Sequence, residues 1–236
     1  MNIDDLSQAL NLEEPIISVY EFSSYEEFKP IVKPKSNECI WASYKDWKEG
    51  KTLVLSKKIY GCRGGARFLL GVEMKDFDLK NFLYKEEGLK SSLEITEEWI
   101  KNMQRYCPKK DYVMIGPFKE KHLEKAISIT FLVNPDQLSA LIHGTLYFSP
   151  EMIPDLIKTT VSAGCGLLVS FTTYDKPQAL IGAVDMAMRH YIPPCLLAFT
   201  VNKPMLERLL RLDEKSFLFK PFWKRLVKAR EKIQSQ

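Results

Sequence analysis

The chain has 236 residues, of which 45% are hydrophobic and 27% charged, and its formal net charge is +4. This length is sufficient for a hydrophobic core without cross-links, and no run of about 20 apolar residues is present that could cross a bilayer. Segment 214–236 contains seven basic and two acidic residues, so its net charge of +5 accounts for the net positive charge of the chain. The rest of the chain is close to neutral, which argues against nucleic acid as a partner.

The first half of the sequence predicts helices and strands that flank a glycine-rich segment. Its acidic N-terminus lacks the basic start and apolar run of a signal peptide, so we expect a cytoplasmic protein. The predicted elements, in order, are helix 4–11, strand 15–22, helix 38–48, strand 52–56, the glycine-rich segment 61–71 and helix 93–106.

The second half predicts further strands and one strongly marked helix start. Asn134 followed by Pro135 is typical of an N-cap and a first helical residue, and predicts a helix that runs to about Phe148. Residues 179–189 fit either a strand or a helix. The other predicted elements are strands 112–115, 126–133 and 195–201, and helix 205–212.

The C-terminal segment predicts a basic amphipathic helix over about 220–235. Pro221 fits its first turn, and apolar residues recur at helical spacing at Phe222, Leu226, Ala229 and Ile233. Such a helix can bind an anionic surface. More often its apolar stripe packs on its own domain, which is what we expect here.

Together these elements predict an α+β fold, a mixed sheet with packed helices, in one domain over residues 1–236 with its core at about 15–210. Each half contains a strand, a helix and a Gly-Cys step, at Gly61-Cys62 and at Gly164-Cys165. The intervals are similar but unequal, so chance similarity is the alternative to two pseudo-repeated halves. A true repeat would place the two Gly-Cys steps at related positions.

The glycine-rich segment 61–71 is a candidate anion site. Glycine lets backbone N–H groups converge on one point, and neighbouring arginines could hold a phosphate or a carboxylate. The pattern matches neither the P-loop nor the dinucleotide fingerprint, and the alternative is a tight turn that requires glycine for steric reasons. The candidate ligand-binding residues are Gly61, Arg63, Gly64, Gly65, Arg67 and, if it lies near the segment, Arg189.

The cysteines are candidates for chemistry as well as for packing. There are five, an odd number without a Cys-x-x-Cys pair, which argues against a disulfide framework: Cys39, Cys62, Cys107, Cys165 and Cys195. Cys62, beside two arginines, is a candidate nucleophile, although no pattern places a histidine base next to it. Cys39, Cys62 and Cys165 are candidate ligands of a metal or cluster, with Cys195 or Asp185 as a fourth ligand. The alternative for all of them is a buried structural thiol.

Two groups of short motifs occur in order along the chain. The first group is Cys39-Ile-Trp-Ala, Gly50-Lys-Thr-Leu-Val-Leu-Ser56, Cys62-Arg-Gly-Gly-Ala66 and Leu70-Gly71. The second is Gly164-Cys165-Gly166, Ala179-Leu-Ile-Gly182, Asp185, Arg189, Tyr191, Pro193 and Phe199-Thr200-Val201. Together they resemble the domain of unknown function family 169, uncharacterised proteins of anaerobic bacteria and archaea. The resemblance implies a compact cytosolic protein and puts Cys39, Cys62, Cys165, Asp185 and Arg189 on motif positions, but it implies no activity.

The sequence leaves three functions open. The first is a binding protein for a small anionic ligand or cofactor at segment 61–71, which predicts a pocket there. The second is a thiol-dependent or metal-dependent enzyme that uses Cys62 with Cys39 and Cys165, which predicts sulfur atoms that face one another or a cleft. The third is a homo-oligomeric interaction protein without small-molecule chemistry.

Overall fold

The computed structural model describes residues 1–73, 76–102, 106–152, 155–159 and 175–234 of the chain. Within these ranges, eight strands form one mixed sheet with helices packed against it, which confirms the predicted α+β class. None of the helices in these ranges combines the length and the apolar character that a membrane span requires.

The sheet runs through both halves of the chain. In sequence order its strands are β1 (Ile17–Phe22), β2 (Ile31–Val32), β3 (Thr52–Leu55), β4 (Tyr112–Pro117), β5 (Ala126–Val133), β6 (Ile157–Thr159), β7 (Ala179–Gly182) and β8 (Leu197–Val201). Their spatial order is β2-β3-β4-β1-β5-β8-β7-β6.

The two halves of the sheet have the same strand order and the same strand directions. From the centre outward the first half is β1, β4, β3, β2 and the second half is β5, β8, β7, β6. In each half the outermost pair is parallel and the other pairs are antiparallel, and β1 pairs antiparallel with β5 at the centre. This arrangement agrees with the prediction of two pseudo-repeated halves.

The predicted correspondence of the two Gly-Cys steps stays a prediction, because Gly164 and Cys165 lie outside the described residues. In chain order, Gly61-Cys62 follows β3, whereas Gly164-Cys165 lies between β6 and β7.

Helices and short helical turns fill the connections between strands. The α-helices are α1 (Ile3–Ala9), α2 (Tyr44–Lys48), α3 (Arg63–Leu70), α4 (Leu79–Asn81), α5 (Leu93–Asn102), α6 (Pro135–Leu146), α7 (Lys203–Leu210) and α8 (Pro221–Gln234). Short 3-10 turns lie at Glu26–Phe28, Ile40–Ser43, Glu120–Lys125, Arg189–Tyr191 and Phe217–Phe219, and a π-helical turn at Phe82–Glu86.

Local sequence signals account for most of these elements. The Asn134 side chain accepts a hydrogen bond from the Gln137 N–H at 2.9 Å, and the Gln137 side chain accepts one from the Asn134 N–H at 3.0 Å. This reciprocal capping box confirms the predicted start of α6. The ambiguous segment 179–189 begins as strand β7 and continues as a turn, because its first four residues pair with β8 and the first three of them also pair with β6.

Two hydrophobic clusters cover the two faces of the sheet. Neighbouring strand residues belong to different clusters, as with Tyr20 and Val19 in β1 and with Val54 and Leu53 in β3, because side chains alternate between the faces of a strand. Helices α1, α6 and α7 pack on the Tyr20 face. The residues around α2 and α3 pack on the Val19 face, where the candidate site lies.

The C-terminal helix α8 packs on the domain through a face that, among the described side chains, shares only Leu226 with the predicted stripe. Phe222 is 81% exposed and Ala229 is also exposed, whereas Trp223 is half-buried. Nε1 of Trp223 donates a hydrogen bond to the Ala9 carbonyl at 2.8 Å, and Arg230 pairs with Asp136 at 2.6 Å. Residues 223, 226, 227 and 230 also recur at helical spacing, and the larger apolar surface and indole N–H of Trp223 favour this face.

Candidate functional site

Two loops of the first half are pressed together at Gly61. A Cβ added to Gly61 would lie 2.0 Å from the carbonyl oxygen of Glu38, so only glycine fits there. The Asn37 N–H donates a hydrogen bond to the Gly61 carbonyl at 3.1 Å. This contact holds Cys39 beside Cys62 and supports the steric interpretation of Gly61.

Cys62 caps helix α3. Its Sγ accepts a hydrogen bond from the Gly65 N–H at 3.2 Å, and the helix ends at Leu70 with Gly71 as its C-cap, whose φ of 65° is in the left-handed region. The glycine-rich segment is therefore mostly a helix. The amide of Gly65, predicted to contact an anion, is used by the Cys62 sulfur, where the helix N-terminus favours negative charge.

Cys39 and Cys62 form a hydrogen-bonded pair of thiols. The pKa of Cys39 is raised, first by its side-chain hydrogen bond with Cys62 and then by burial, and the nearby charges of Cys62 and Asp185 add to the effect. Negative charge near a thiol disfavours its ionisation. Cys39 is therefore the member of the pair that keeps its proton.

The two thiols open onto a cavity of about 420 Å³ between the two halves of the chain. It is bounded by the loops around Cys39 and Cys62, by the helical segment around α4 and by the turn after β7. Its walls are mainly apolar and aromatic, with a few polar groups. The lining residues are Asn37, Cys39, Trp41, Cys62, Arg63, Gly64, Phe68, Phe77, Leu79, Phe82, Leu83, Glu87, Asp185, Ala187, Met188 and Tyr191.

Two polar atoms of the lining residues are buried without a hydrogen-bond partner in the described part of the chain. They are Nε1 of Trp41, a residue only 1% exposed, and Oε2 of Glu87. Burial raises the pKa of Glu87 to about 7, and the negative charge of Asp185 contributes to the increase. Near neutral pH, Glu87 is therefore present both as a neutral acid and as a carboxylate.

The three candidate arginines take different positions. Arg63 lines the cavity, and its guanidinium lies 4.9 Å from the centre of the Phe77 ring. Arg67 lies over Phe68 and lines a separate shallow groove beside α4 and α5. The structure thus brings Arg63 to the cavity with Cys39, Cys62 and Gly64. Among the described residues that line the cavity, Arg67 is not included.

Arg189 is engaged with backbone carbonyl groups. Its guanidinium donates hydrogen bonds to the carbonyl oxygens of Ala183, Leu196 and Pro194 at 3.2, 2.6 and 2.8 Å. These bonds close the turn between β7 and β8. Asp185, from the same turn, does line the cavity, and its carboxylate accepts a hydrogen bond from the Ala187 N–H at 3.0 Å.

No metal-binding cluster is formed by the residues that the structure describes, since no group of three His, Cys, Asp or Glu side chains is suitably arranged. Cys107 and Cys195 are exposed, and neither lines the cavity. Cys165, the third candidate ligand, lies outside the described ranges.

Sequence reasoning did not single out Trp41 or Glu87. Trp41 lies within the motif Cys39-Ile-Trp-Ala, so its position was the available signal. Glu87 follows Lys85 and Glu86 in a charged run that is typical of a solvated surface, and only the folded chain reveals its burial.

Comparison with known proteins identifies a family but no characterised relative. The family model of DUF169, described as an uncharacterised ArCR, matches residues 5–211. No curated protein and no solved structure gives a significant match to the chain.

Proposed function

Because the chain belongs to the DUF169 family, which is described as uncharacterised, we propose a function from the geometry of the cavity. The protein binds a small ligand that has a flat apolar body and one anionic group. The observation that carries this proposal is the cavity itself, whose lining residues include two buried polar atoms without a partner among the described residues, Nε1 of Trp41 and Oε2 of Glu87.

Unpartnered buried polar atoms favour a ligand that can pair with them. Leaving such an atom without a hydrogen bond costs roughly 1–3 kcal/mol, and most buried polar atoms in proteins have a partner. Nε1 of Trp41 can only donate, so its partner must be an acceptor atom. An oxygen of a carboxylate or of a similar anion meets this requirement.

The cavity walls suit an apolar, planar body. Phe77, Phe82 and Tyr191 provide rings, and Leu83 and Met188 provide aliphatic surface. Aromatic rings pack well against flat ligands, and ligand pockets typically combine such walls with a few polar groups that fix orientation. A volume of about 420 Å³ is within the usual range for small-molecule sites.

Charge at the polar end favours a single anionic group. Arg63 is the cation of the lining, and protonated Glu87 can donate a hydrogen bond to the same anion. Asp185 opposes an anion through its negative charge. It also contributes to the raised pKa of Glu87, and so helps to retain the proton that Glu87 donates.

This arrangement gives ligand binding a definite pH dependence. An anion that accepts a hydrogen bond from protonated Glu87 raises the pKa of Glu87 further, so binding takes up protons. The affinity for the anion therefore falls as pH rises through about 7. A cationic ligand would have the opposite dependence, because it favours the carboxylate form.

Calorimetric titration with 6-bromo-2-naphthoate tests the proposal. We expect saturable binding at pH 6 that weakens at pH 8. Arg63→Gln should weaken it about tenfold, the factor that corresponds to 1.4 kcal/mol. Trp41→Phe, which removes the N–H and leaves a smaller aromatic ring, should weaken it at least about fivefold, the factor expected for one lost hydrogen bond.

Matched controls make the titration decisive. Arg225→Gln changes an exposed arginine of α8 and should leave binding unchanged. A probe in which an aminomethyl group replaces the carboxylate should bind more weakly. Equal binding by the Arg63→Gln and Arg225→Gln variants, or tighter binding of the amine, would overturn the anionic assignment.

A thiol-dependent enzyme is the second candidate function, because the hydrogen-bonded Cys39 and Cys62 lie in the cavity wall. In such an enzyme Cys62 would attack an electrophilic carbon of the bound molecule. The experiment is alkylation by iodoacetamide with and without the naphthoate. Protection of Cys62 by the probe would support a shared site, and unchanged labelling would count against it.

The third function inferred from the sequence, a homo-oligomeric interaction protein, is tested by the mass of the protein in solution. A mass equal to that of the monomer would exclude it.

A further inference from the structure

Cys39 and Cys62 are placed to react with each other as well as with a ligand. The backbone of Gly61 lies close to the carbonyl group of Glu38. The residues that follow these two, Cys62 and Cys39, are therefore neighbours. Their side chains are hydrogen-bonded. Neither is part of a disulfide, and both are half-buried at the cavity wall rather than sealed in the core.

The two thiols have unequal surroundings. Cys62 is at the N-cap of the eight-residue helix α3 and accepts the Gly65 N–H, and both features stabilise a thiolate. The sulfur of Cys39 also accepts a hydrogen bond from a backbone N–H, that of Trp41, but its hydrogen bond with Cys62 and its burial outweigh this contact and favour its protonated form. This inequality separates an attacking thiol from a resolving thiol.

We propose that Cys39 and Cys62 form a redox-active dithiol that a small-molecule disulfide oxidises to an intramolecular disulfide, with Cys62 as the attacking thiol and Cys39 as the resolving thiol. The proposal concerns the protein's own sulfur atoms. It does not depend on the ligand proposed for the cavity.

The reaction proceeds by two exchanges. The Cys62 thiolate attacks one sulfur of the external disulfide, so a mixed disulfide forms, the original S–S bond breaks and one thiolate leaves. Cys39 then gives up its proton to that leaving thiolate and attacks the Sγ of Cys62, which expels the second thiolate. The protein loses two electrons, and the external disulfide gains them as two thiols.

The first exchange prepares the second. The largest cause of the raised pKa of Cys39 is its hydrogen bond with Cys62. Once Cys62 is part of a mixed disulfide, its thiolate charge is gone and no longer opposes ionisation of Cys39. Cys39 therefore becomes the better nucleophile when its neighbour has become the electrophile.

The experiment is exposure of the full, reduced chain to oxidised glutathione, followed by intact mass measurement and peptide mapping without reductant. Wild-type protein should become lighter by two hydrogen atoms and yield one peptide pair that links residue 39 to residue 62. Cys39→Ser should instead retain one glutathione on Cys62. Cys62→Ser should lose most of the reaction at this site.

Three variants serve as controls. Cys107→Ser, Cys195→Ser and Cys165→Ser should all still form the bond between Cys39 and Cys62. Circular dichroism checks that each variant is folded. If Cys39→Ser or Cys62→Ser is not folded, Cys39→Ala or Cys62→Ala takes its place. Brief labelling of wild-type protein with iodoacetamide, which requires no variant, should modify Cys62 before Cys39.

Specific results would overturn the proposal. A disulfide that maps to Cys165 instead of the predicted pair would contradict it. So would faster labelling of Cys39 than of Cys62, or a Cys39→Ser variant that accumulates no adduct on Cys62.

Discussion

The two halves of the sheet share a strand order but differ in how they connect their third and fourth strands. In the first half, the connection from β3 to β4 contains α3, α4 and α5, and supplies Cys62, Arg63 and most of the aromatic wall. In the second half, the connection from β7 to β8 has only the short turn at Arg189–Tyr191 among its helical elements, and supplies Asp185. The strands thus provide a common framework, and these unequal connections supply most of the cavity lining, to which the connection between β2 and β3 adds Cys39 and Trp41.

The connections also differ in what stabilises them. In the first half, α3 satisfies its own backbone groups and depends on glycine at position 61 to meet the neighbouring loop. In the second half, a side chain has that role, because Arg189 donates to three carbonyl groups of a turn that contains Ala183 at a φ of 59°. Substitutions in the two connections should therefore lower the stability of the protein for different reasons.

The largest effect is expected from Gly61→Ala in the first half. Its Cβ would lie 2.0 Å from a backbone carbonyl oxygen, so the loops must separate, at a cost of about 3 kcal/mol in the free energy of unfolding. Urea denaturation measures this change. Gly64→Ala is the matched control, since its Cβ has nothing within 4 Å, and an alanine within a helix should stabilise by roughly 0.5–1 kcal/mol. A Gly61→Ala variant as stable as Gly64→Ala would remove the steric account.

In the second half, we expect Arg189→Ala to lower the free energy of unfolding by about 2 kcal/mol, because three carbonyl groups lose a charged donor. Arg189→Lys should recover little of this loss, since an ammonium group cannot reproduce the planar fork of a guanidinium. The same denaturation experiment checks both variants. Full rescue by lysine would show that charge alone, without the fork geometry, supports the turn.

A smaller effect is expected where the two halves meet, at Glu87 and Asp185. The pKa of Glu87 is raised from 4.5 to about 7 in the folded protein, so the fold favours its protonated form. The resulting contribution to stability is complete below the unfolded pKa and is lost as pH rises through about 7. Because Glu87 is only half-buried, water screens the effect, and we expect roughly 1 kcal/mol.

Denaturation at pH 5 and pH 8 tests this sign. Glu87→Gln should match wild-type protein at pH 5 and exceed its stability at pH 8. The adjacent exposed residue provides the control, and Glu86→Gln should leave the pH dependence of wild-type protein unchanged. A Glu87→Gln variant that loses stability at pH 8 would mean that the carboxylate has a stabilising partner.

The smallest effect is expected for the C-terminal helix, which contacts α1 through Trp223 and α6 through Arg230. Arg230→Ala removes an exposed ion pair with Asp136 and should lower the unfolding free energy only slightly, because water screens exposed charges. Lys228→Ala, at an exposed position of the same helix, serves as the control. A loss several times larger would mean that α8 contributes to the joining of the two halves.

The sequence predicted the elements whose signals are local. Strand β5 and the start of α6 follow from β-branched residues and from the Asn134 and Pro135 pair, and both are in the structure. The stripe of α8 was predicted correctly at Leu226 but not at Phe222 or Ala229, because two overlapping sets of residues share helical spacing and only contact with α1 distinguishes them. The strand order of the two halves was not predictable either, because it depends on pairing between segments that are distant in the sequence.

The candidate site was predictable only in part for the same reason. Cys39, Cys62 and Arg63 were recognisable by residue type and neighbours. The burial of Glu87 arises from long-range packing, as does the position of the Trp41 N–H, which has no partner among the residues that the structure describes. The hydrogen bonds from Arg189 to carbonyl groups depend on the turn after β7. The sequence of that segment did not predict a turn, because it fitted either a strand or a helix.

The most direct test of the central claim, that the cavity holds an anionic ligand, is a crystal structure of the protein with 6-bromo-2-naphthoate, with the bromine located by anomalous scattering. The account predicts the bromine among the rings around Phe77 and Phe82. The carboxylate should lie within hydrogen-bond distance, about 3 Å, of both Arg63 and Nε1 of Trp41. A bromine bound elsewhere, such as beside α8, or a cavity without the probe at saturating concentration would contradict the account.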